Sequence, residues 1–227
     1  MSKQKFVCGY CQKAYTNERT LAAHMCVKKR RYIDRDTVAS RIGLELFRRF
    51  YELNTATKAP KRIEEFIDSK YYNSFIKLAK HIIDLRPVDQ ARFVDYVFQS
   101  GVKDRDWCKD RVYESYILDL LQKEATNRAL ERSIKTMGAW SEETGHELNT
   151  FFANVNPQAA TQMIKMGKIS PWVLYLAGTA DALWNRLSEE QVQMVCSTVN
   201  PKIWKARFQK KTEDCDFVRS ILEEAGL

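Results

Sequence analysis

Apolar residues recur every three or four positions along most of this chain and seldom alternate. That spacing is the period of a helix, whereas alternation would mark strands. In DRDTVASRIGLELFRRFYEL, residues 34 to 53, Val38, Ile42, Leu46, Phe50 and Leu53 share one face, with Phe47 beside it. Asp34 or Asp36 is placed to cap this helix and complement its dipole. A helical hairpin is predicted over 61 to 84, entered at Pro60, with Tyr72, Phe75, Ile76, Ala79 and Ile83 facing inward. Pro87 opens the next helix and Gly101 fits its stop. Trp107, Val112, Tyr116 and Leu120 are core positions of the following stretch. Ala129, Leu130, Ile134, Met137 and Trp140 form the inner face of a helix over 126 to 144, ended by Gly145.

Toward the C-terminus the pattern is punctuated. Asn156-Pro157, Ser170-Pro171 and Asn200-Pro201 each pair a capping side chain with a proline suited to the first helical position. Ser188 to Gln191 fits a capping box. Short helices are predicted over 157–166, 171–177, 179–187, 189–197, 201–210 and 213–225. Trp172, Leu176, Leu183, Trp184, Val192, Val195 and Trp204 supply their core.

Residues 6 to 31, FVCGYCQKAYTNERTLAAHMCVKKRR, break this pattern. Cys8 and Cys11 have the spacing of the first half of a structural zinc site, and His24 follows at a distance that allows a turn and a short helix between. Gly9 suits the turn because it tolerates positive φ. Thr16 or Asn17 can cap a helix from about Asn17 to His24. The stretch resembles the C2H2 zinc-finger family: Phe6, Lys13, Tyr15, Leu21 and His24 stand at the family's positions around the two cysteines. The resemblance implies a ββα unit whose small core is Phe6, Tyr15 and Leu21. It departs at the fourth ligand, because Lys28, Lys29 and Arg30 occupy the positions where the family has its second histidine. Cys26 is the nearest candidate, with Cys108, Cys196, Cys215 and His146 as distant ones. Residues two apart on a helix point to nearly opposite sides, so Cys26 can turn back only if the helix ends at His24. The expected metal set is Cys8, Cys11, His24 and Cys26, with zinc as the cofactor.

In fingers that read DNA, side chains before and along the helix reach base edges, about three base pairs per finger. Here those positions are Asn17, Arg19, Thr20 and Ala23, and the first two have the donors for such contacts. Lys28, Lys29, Arg30 and Arg31 follow as a cationic run suited to phosphates. The formal charge of +8 is unevenly spread: residues 1 to 62 carry 15 Lys or Arg against 5 Asp or Glu, and the rest is slightly acidic. The basicity therefore belongs to the finger and the segment behind it, which favours a polyanion at that end.

Other chemistry is sparse. Asp104, Asp106 and Asp110 lack the glycine and terminal glutamate of a calcium loop. His81 and His146 are isolated from any nucleophile or carboxylate, so no enzyme is expected. No run approaches the length of a membrane span. Three cysteines gathered in a metal pattern and three scattered ones point to a reducing, intracellular and cytoplasmic setting.

The expected fold is mainly α, a small ββα-type zinc finger followed by a multi-helix α domain. The expected division is a finger with basic tail over 1–31, a helical connector and linker over 32–59 with NTATKAP (54 to 60) as the linker, and a helical body over 60–227 dividing near 150–156. HMCVKKRR, SKYYNSFIKLAKHI, DWCKDRVYESYI and GKISPWVLYL give the chain a resemblance to helical zinc-finger proteins of large tailed bacteriophages, and the region from Tyr71 is similar to the all-helical helicase loader of such phages. That resemblance implies a replication or transcription accessory role in a host cytoplasm. The reading is a zinc-dependent nucleic-acid-binding accessory protein, its partner DNA rather than RNA. Its rivals are an adaptor whose finger and helical body bind a protein, and, behind that, a finger-targeted nuclease.

Overall fold

Helices form wherever the three-and-four spacing predicts them, and a short hairpin precedes them. The structure, a computed structural model, describes residues 5–55 and 59–227. Among these are two strands and fifteen α-helices. They divide into two compact units, Met1–Cys108 and Lys109–Leu227. No helix among the described residues is long and apolar enough to cross a membrane.

The first unit begins with β1 (Phe6–Val7) and β2 (Ala14–Tyr15), paired antiparallel with Phe6 opposite Tyr15. Then come α1 (Glu18–Ala23), α2 (Val27–Ile33), α3 (Val38–Asn54), α4 (Ile63–Asp68), α5 (Tyr72–Leu85) and α6 (Gln90–Gln99). A 3-10 turn over Asp34–Asp36 separates α2 from α3. The cap of α3 is Thr37, whose hydroxyl accepts the Ser40 N–H, and not Asp34 or Asp36 as expected. Pro60 stands outside α4, whose first turn is closed by Glu65 accepting the Arg62 N–H at 2.8 Å. Most of the expected linker, residues 56 to 58, lies outside the described residues.

The core of this unit is aromatic. Phe75 is fully buried, and its ring lies within about 6.4 Å, centroid to centroid, of Phe47, Phe50, Phe66, Phe98 and Trp107. Edge-to-face packing of this kind adds to simple burial. The inner face of α5 is Tyr72, Phe75, Leu78, Ala79 and Ile82. Ile83, expected inward, is 38 % exposed, because the 100° step per residue places Ile82 under Phe75 and Leu78. Arg49 binds Asp95 through two hydrogen bonds of 2.7 and 2.6 Å and so ties α3 to α6. Asp104, in a 3-10 turn, accepts the Ser74 hydroxyl at 2.6 Å, which gives it a structural use.

The second unit holds α7 (Asp110–Lys123), α8 (Thr126–Thr144), α9 (Phe151–Asn154), α10 (Pro157–Lys165), α11 (Pro171–Leu176), α12 (Asp181–Trp184), α13 (Glu189–Thr198), α14 (Pro201–Lys210) and α15 (Thr212–Glu224). The three cap-proline pairs open α10, α11 and α14, and Ser188 with Gln191 forms the capping box of α13. Gly145 ends α8 in the left-handed region. Trp172, Leu183, Val195 and Trp204 are buried, whereas Leu176, Trp184 and Val192 are half-buried. The chain's contacts divide at 108/109. The expected boundary after residue 31 falls inside α2.

Candidate metal centre and the basic helix beside it

The metal-binding pattern of the sequence closes into a site. The Cys8 N–H donates to the Lys13 carbonyl and the Gln12 N–H to the Cys8 carbonyl, both at 2.9 Å. These bonds fold the chain back between β1 and β2. The left-handed residue in the turn is Gln12, at φ 60°, and not Gly9. The side-chain oxygen of Asn17, rather than of Thr16, caps α1 by accepting the Thr20 N–H at 2.8 Å. The Thr20 hydroxyl donates to the same oxygen at 2.7 Å.

α1 ends at His24, whose backbone is extended. This break permits what a continuous helix forbids: Cys26 turns back toward the other ligands. The ligand atoms of Cys8, Cys11, His24 and Cys26 all lie within 4.8 Å of one another. Sγ of Cys11 is 3.2 Å from Nε2 of His24. A tetrahedral zinc with bonds near 2.3 Å to sulfur holds sulfurs roughly 3.8 Å apart, so the four groups need to close by no more than about 1 Å. Cys26 is thus the residue positioned to supply the fourth ligand, and Cys108, Cys196, Cys215 and His146 stand outside the cluster.

The donor set fits a metal that prefers thiolate and imidazole in four-coordinate geometry, as structural zinc does. The Cys8 thiol is held below its ordinary pKa, because the Cys11 and Tyr10 backbone N–H groups stabilise its thiolate. At Cys11 the Lys13 N–H acts in the same direction. Burial and the neighbouring Cys8 and Cys26 sulfurs outweigh it and raise that thiol. Thiolates brought this close repel one another, and a cation among them removes the repulsion. Among the described residues this is the one cluster of three or more potential metal ligands. Its apolar support is modest: Phe6, Tyr15 and Leu21 are half-buried, and Tyr15 packs against the His24 ring at 4.9 Å.

The cationic run is not a tail. It forms α2, and Cys26 is the N-cap: its sulfur accepts the Lys29 N–H at 3.4 Å. One residue thus stands both in the candidate ligand cluster and at the cap of a helix. Tyr10 of the cysteine turn packs on Tyr32 of α2 with ring centroids 5.3 Å apart. Lys29 reaches back to the His24 carbonyl at 3.3 Å. α2 is in turn fixed to the helices behind it. Arg31 donates to the carbonyls of Ile67 at 2.7 Å and Ser69 at 3.2 Å, and its guanidinium lies 4.3 Å from the Tyr72 ring. Lys28 pairs with Asp68 at 2.8 Å.

The residues proposed for nucleic acid therefore have different surroundings. Arg19 and Arg30 are exposed and form no ion pair among the described residues. Lys28 and Lys29 have their ammonium groups engaged in weak surface contacts that a phosphate can replace. Asn17 and Thr20 are exposed but bonded to each other. Arg31 is a staple between α2 and the α4–α5 turn. Farther along, Arg48 donates to the Lys61 carbonyl at 2.9 Å and Arg35 lies over the Tyr32 ring at 4.1 Å.

The Arg31 staple yields a direct expectation. Arg31→Ala removes two charge-assisted hydrogen bonds and a ring contact, so the first unit should lose about 2 kcal/mol in urea unfolding, with its helix content unchanged. Arg31→Lys should recover little of this, since one ammonium cannot reproduce a planar fork. A neutral result for Arg31→Ala would show that α2 is held by other contacts. The staple left no local trace in the sequence, because its partners lie 36 and 38 residues away.

No protein-family model matches this chain, and neither does any curated protein or solved structure, so no family match supports the phage resemblance.

Proposed function

We propose that the protein is a zinc-folded, non-enzymatic, intracellular accessory protein that binds nucleic acid through the face formed by α1 and α2. The observation that carries this reading is the juxtaposition at the metal centre. Arg19, Lys28, Lys29 and Arg30 stand on two short helices joined through His24 and Cys26, at the end of the chain that holds its excess positive charge. A single finger reads few bases, so most of its affinity comes from phosphates and counterion release. A duplex DNA site is favoured because the helix side chains Asn17, Arg19 and Thr20 suit base edges in the major groove. A role in phage replication or transcription is the biological setting suggested by the sequence resemblance.

The test is a fluorescence titration of the zinc-loaded protein against labelled single- and double-stranded DNA and RNA at two salt concentrations. Binding should weaken steeply with salt. Neutralising Arg19, Lys28, Lys29 and Arg30 together should cost about four phosphate contacts, a drop in the log–log salt slope of roughly 3 to 4. Unchanged affinity in that variant overturns the reading.

A second reading, an adaptor that docks a protein, has its own support. Of the eleven large apolar side chains that are exposed among the described residues, seven fall between Val7 and Val38, including Met25, Val27 and Ile33. Clustered exposed apolar groups favour a protein partner over a polyanion. Tight, salt-tolerant capture of one protein, lost in Val27→Ser with Ile33→Ser and with no nucleic acid retained, decides for the adaptor. Divalent-metal-dependent cleavage by the purified chain would bring the nuclease reading forward.

A further inference from the structure

Between α2, the start of α3 and α5 lies a cavity of about 510 Å³, within the size range of small-molecule sites. Its walls are chemically divided. Arg30 and Arg31 enter from α2 and Lys80 from α5, while Val27 and Ile76 form an apolar wall. Asp34 is the one carboxylate in the lining, so positive charge prevails. Arg31 is held in place by its bonds to Ile67 and Ser69. Arg30 and Lys80 are different: both are exposed, and neither forms an ion pair among the described residues.

Two cations without counter-ions at the mouth of a partly apolar cavity suit an anion attached to an apolar, flat body. α3 has 17 residues and α5 has 14, and the first turns of both contribute to the lining through Ser40 and Asn73. The partial positive charge of those helix starts adds to the attraction for an anion. A phosphate monoester, with close to two negative charges and three terminal oxygens, matches both cations in charge, whereas a carboxylate supplies one charge. The apolar wall then has room for one base. A base stacked inside a duplex cannot enter such a cavity, whereas one on a single strand can.

We infer that this cavity binds one phosphorylated nucleoside, as a free mononucleotide or as one nucleotide of a single strand, with the phosphate on Arg30 and Lys80 and the base against Val27 and Ile76. For the single-strand source, the inference rests on the nucleic-acid reading above; for the free mononucleotide it does not.

The experiment uses the whole 227-residue chain, zinc-loaded and isotope-labelled. AMP should shift the backbone resonances of Asn73, Ile76 and Lys80, and adenosine and inorganic phosphate should each bind about tenfold more weakly. Lys80→Glu and Asn73→Trp change two exposed positions, one reversing a charge and one filling the cavity. Each should weaken AMP about tenfold or more while leaving the helical circular dichroism intact. An oligothymidylate that binds the native protein and is weakened by both variants identifies a strand as a source. If AMP at millimolar concentration shifts none of these resonances, or if both variants bind AMP like the native protein, the cavity is not this site. Oligonucleotide binding that depends on Arg19 but not on Lys80 would then leave the finger reading standing alone. AMP binding by a protein that retains no polynucleotide sustains the cavity and overturns the finger reading.

Discussion

Replacing Cys26 by serine should weaken zinc binding by roughly a hundredfold while leaving the start of α2 intact. The reasoning separates the two tasks of this residue. As a ligand, its sulfur completes the group formed with Cys8, Cys11 and His24. As a cap, it accepts the Lys29 N–H. Serine is a strong helix cap but a poor ligand for zinc. Structural zinc contributes on the order of 10 to 16 kcal/mol to a finger, so an even share among four ligands is about 3 kcal/mol. Cys26→Ala loses both tasks and should fare worse than serine in helix content near residue 27. Competition with a chelator of known affinity reads the first effect and backbone chemical shifts the second. Native zinc affinity in Cys26→Ser would remove Cys26 from the ligand set.

Chelating the metal from the whole chain extends the same argument. The finger has only half-buried apolar support, so residues 5 to 26 should unfold. α3 to α6 should remain, since Phe47, Phe66, Phe75, Phe98 and Trp107 are buried together without reference to the metal. α2 stands between these outcomes, fixed on one side by the finger and on the other by Arg31 and Lys28. The helical signal should fall by little more than α1 and α2, which are 6 and 7 residues long. A single cooperative loss of all helix would show that the finger and the helices behind it fold as one.

Breaking the Glu124–Arg132 ion pair of the second unit should have the largest effect on stability away from the metal. Glu124 lies between α7 and α8 with its side chain 3 % exposed, and Arg132 on α8 is 16 % exposed. Arg132 grips both carboxylate oxygens, one at 2.6 Å, and its Nε donates to the Gly167 carbonyl at 2.7 Å. The pair thus ties the α7–α8 turn to the turn between α10 and α11. Glu124→Leu leaves a mostly buried guanidinium with one neutral partner, and breaking a pair of this kind costs up to about 3 to 5 kcal/mol. The double variant Glu124→Leu with Arg132→Met removes the stranded charge and should recover most of that loss. Urea denaturation of the native protein, the single variants Glu124→Leu and Arg132→Met, and the double variant checks both statements. A single variant as stable as the native protein would mean that water reaches Arg132 and solvates it.

Cys108 and Cys215 show how little a cysteine's identity says without its surroundings. Burial raises the thiol pKa of both, which makes them poor nucleophiles, as expected of packed thiols outside a metal site. Cys8 carries the same side chain and is also buried, yet two backbone N–H groups lower its pKa.

The sequence by itself determined the local features: the helical class, the cap-proline starts of α10, α11 and α14, the capping box of α13, and the stop at Gly145. These depend on interactions within a few residues, so spacing exposes them. It also pointed to the finger's candidate ligands, with the condition that α1 end at His24 if Cys26 was to join them, because the geometry of one turn is a local matter; that Cys26, and not a distant cysteine or histidine, stands in the cluster came from the structure. Only the tertiary structure decided the rest. Whether Thr37 or an aspartate caps α3 turned on a 3-10 turn that propensity does not fix. Which side of α5 faces inward, and with it the burial of Ile82 rather than Ile83 in line with Phe75 and Leu78, depended on the helices packed against it. The cationic run became a helix fixed by Arg31 to carbonyls of another helix turn, and Glu124 met Arg132 in the interior. Such pairings are made between residues that the fold brings together, and the same side chains on a solvated helix would leave the same pattern in the sequence.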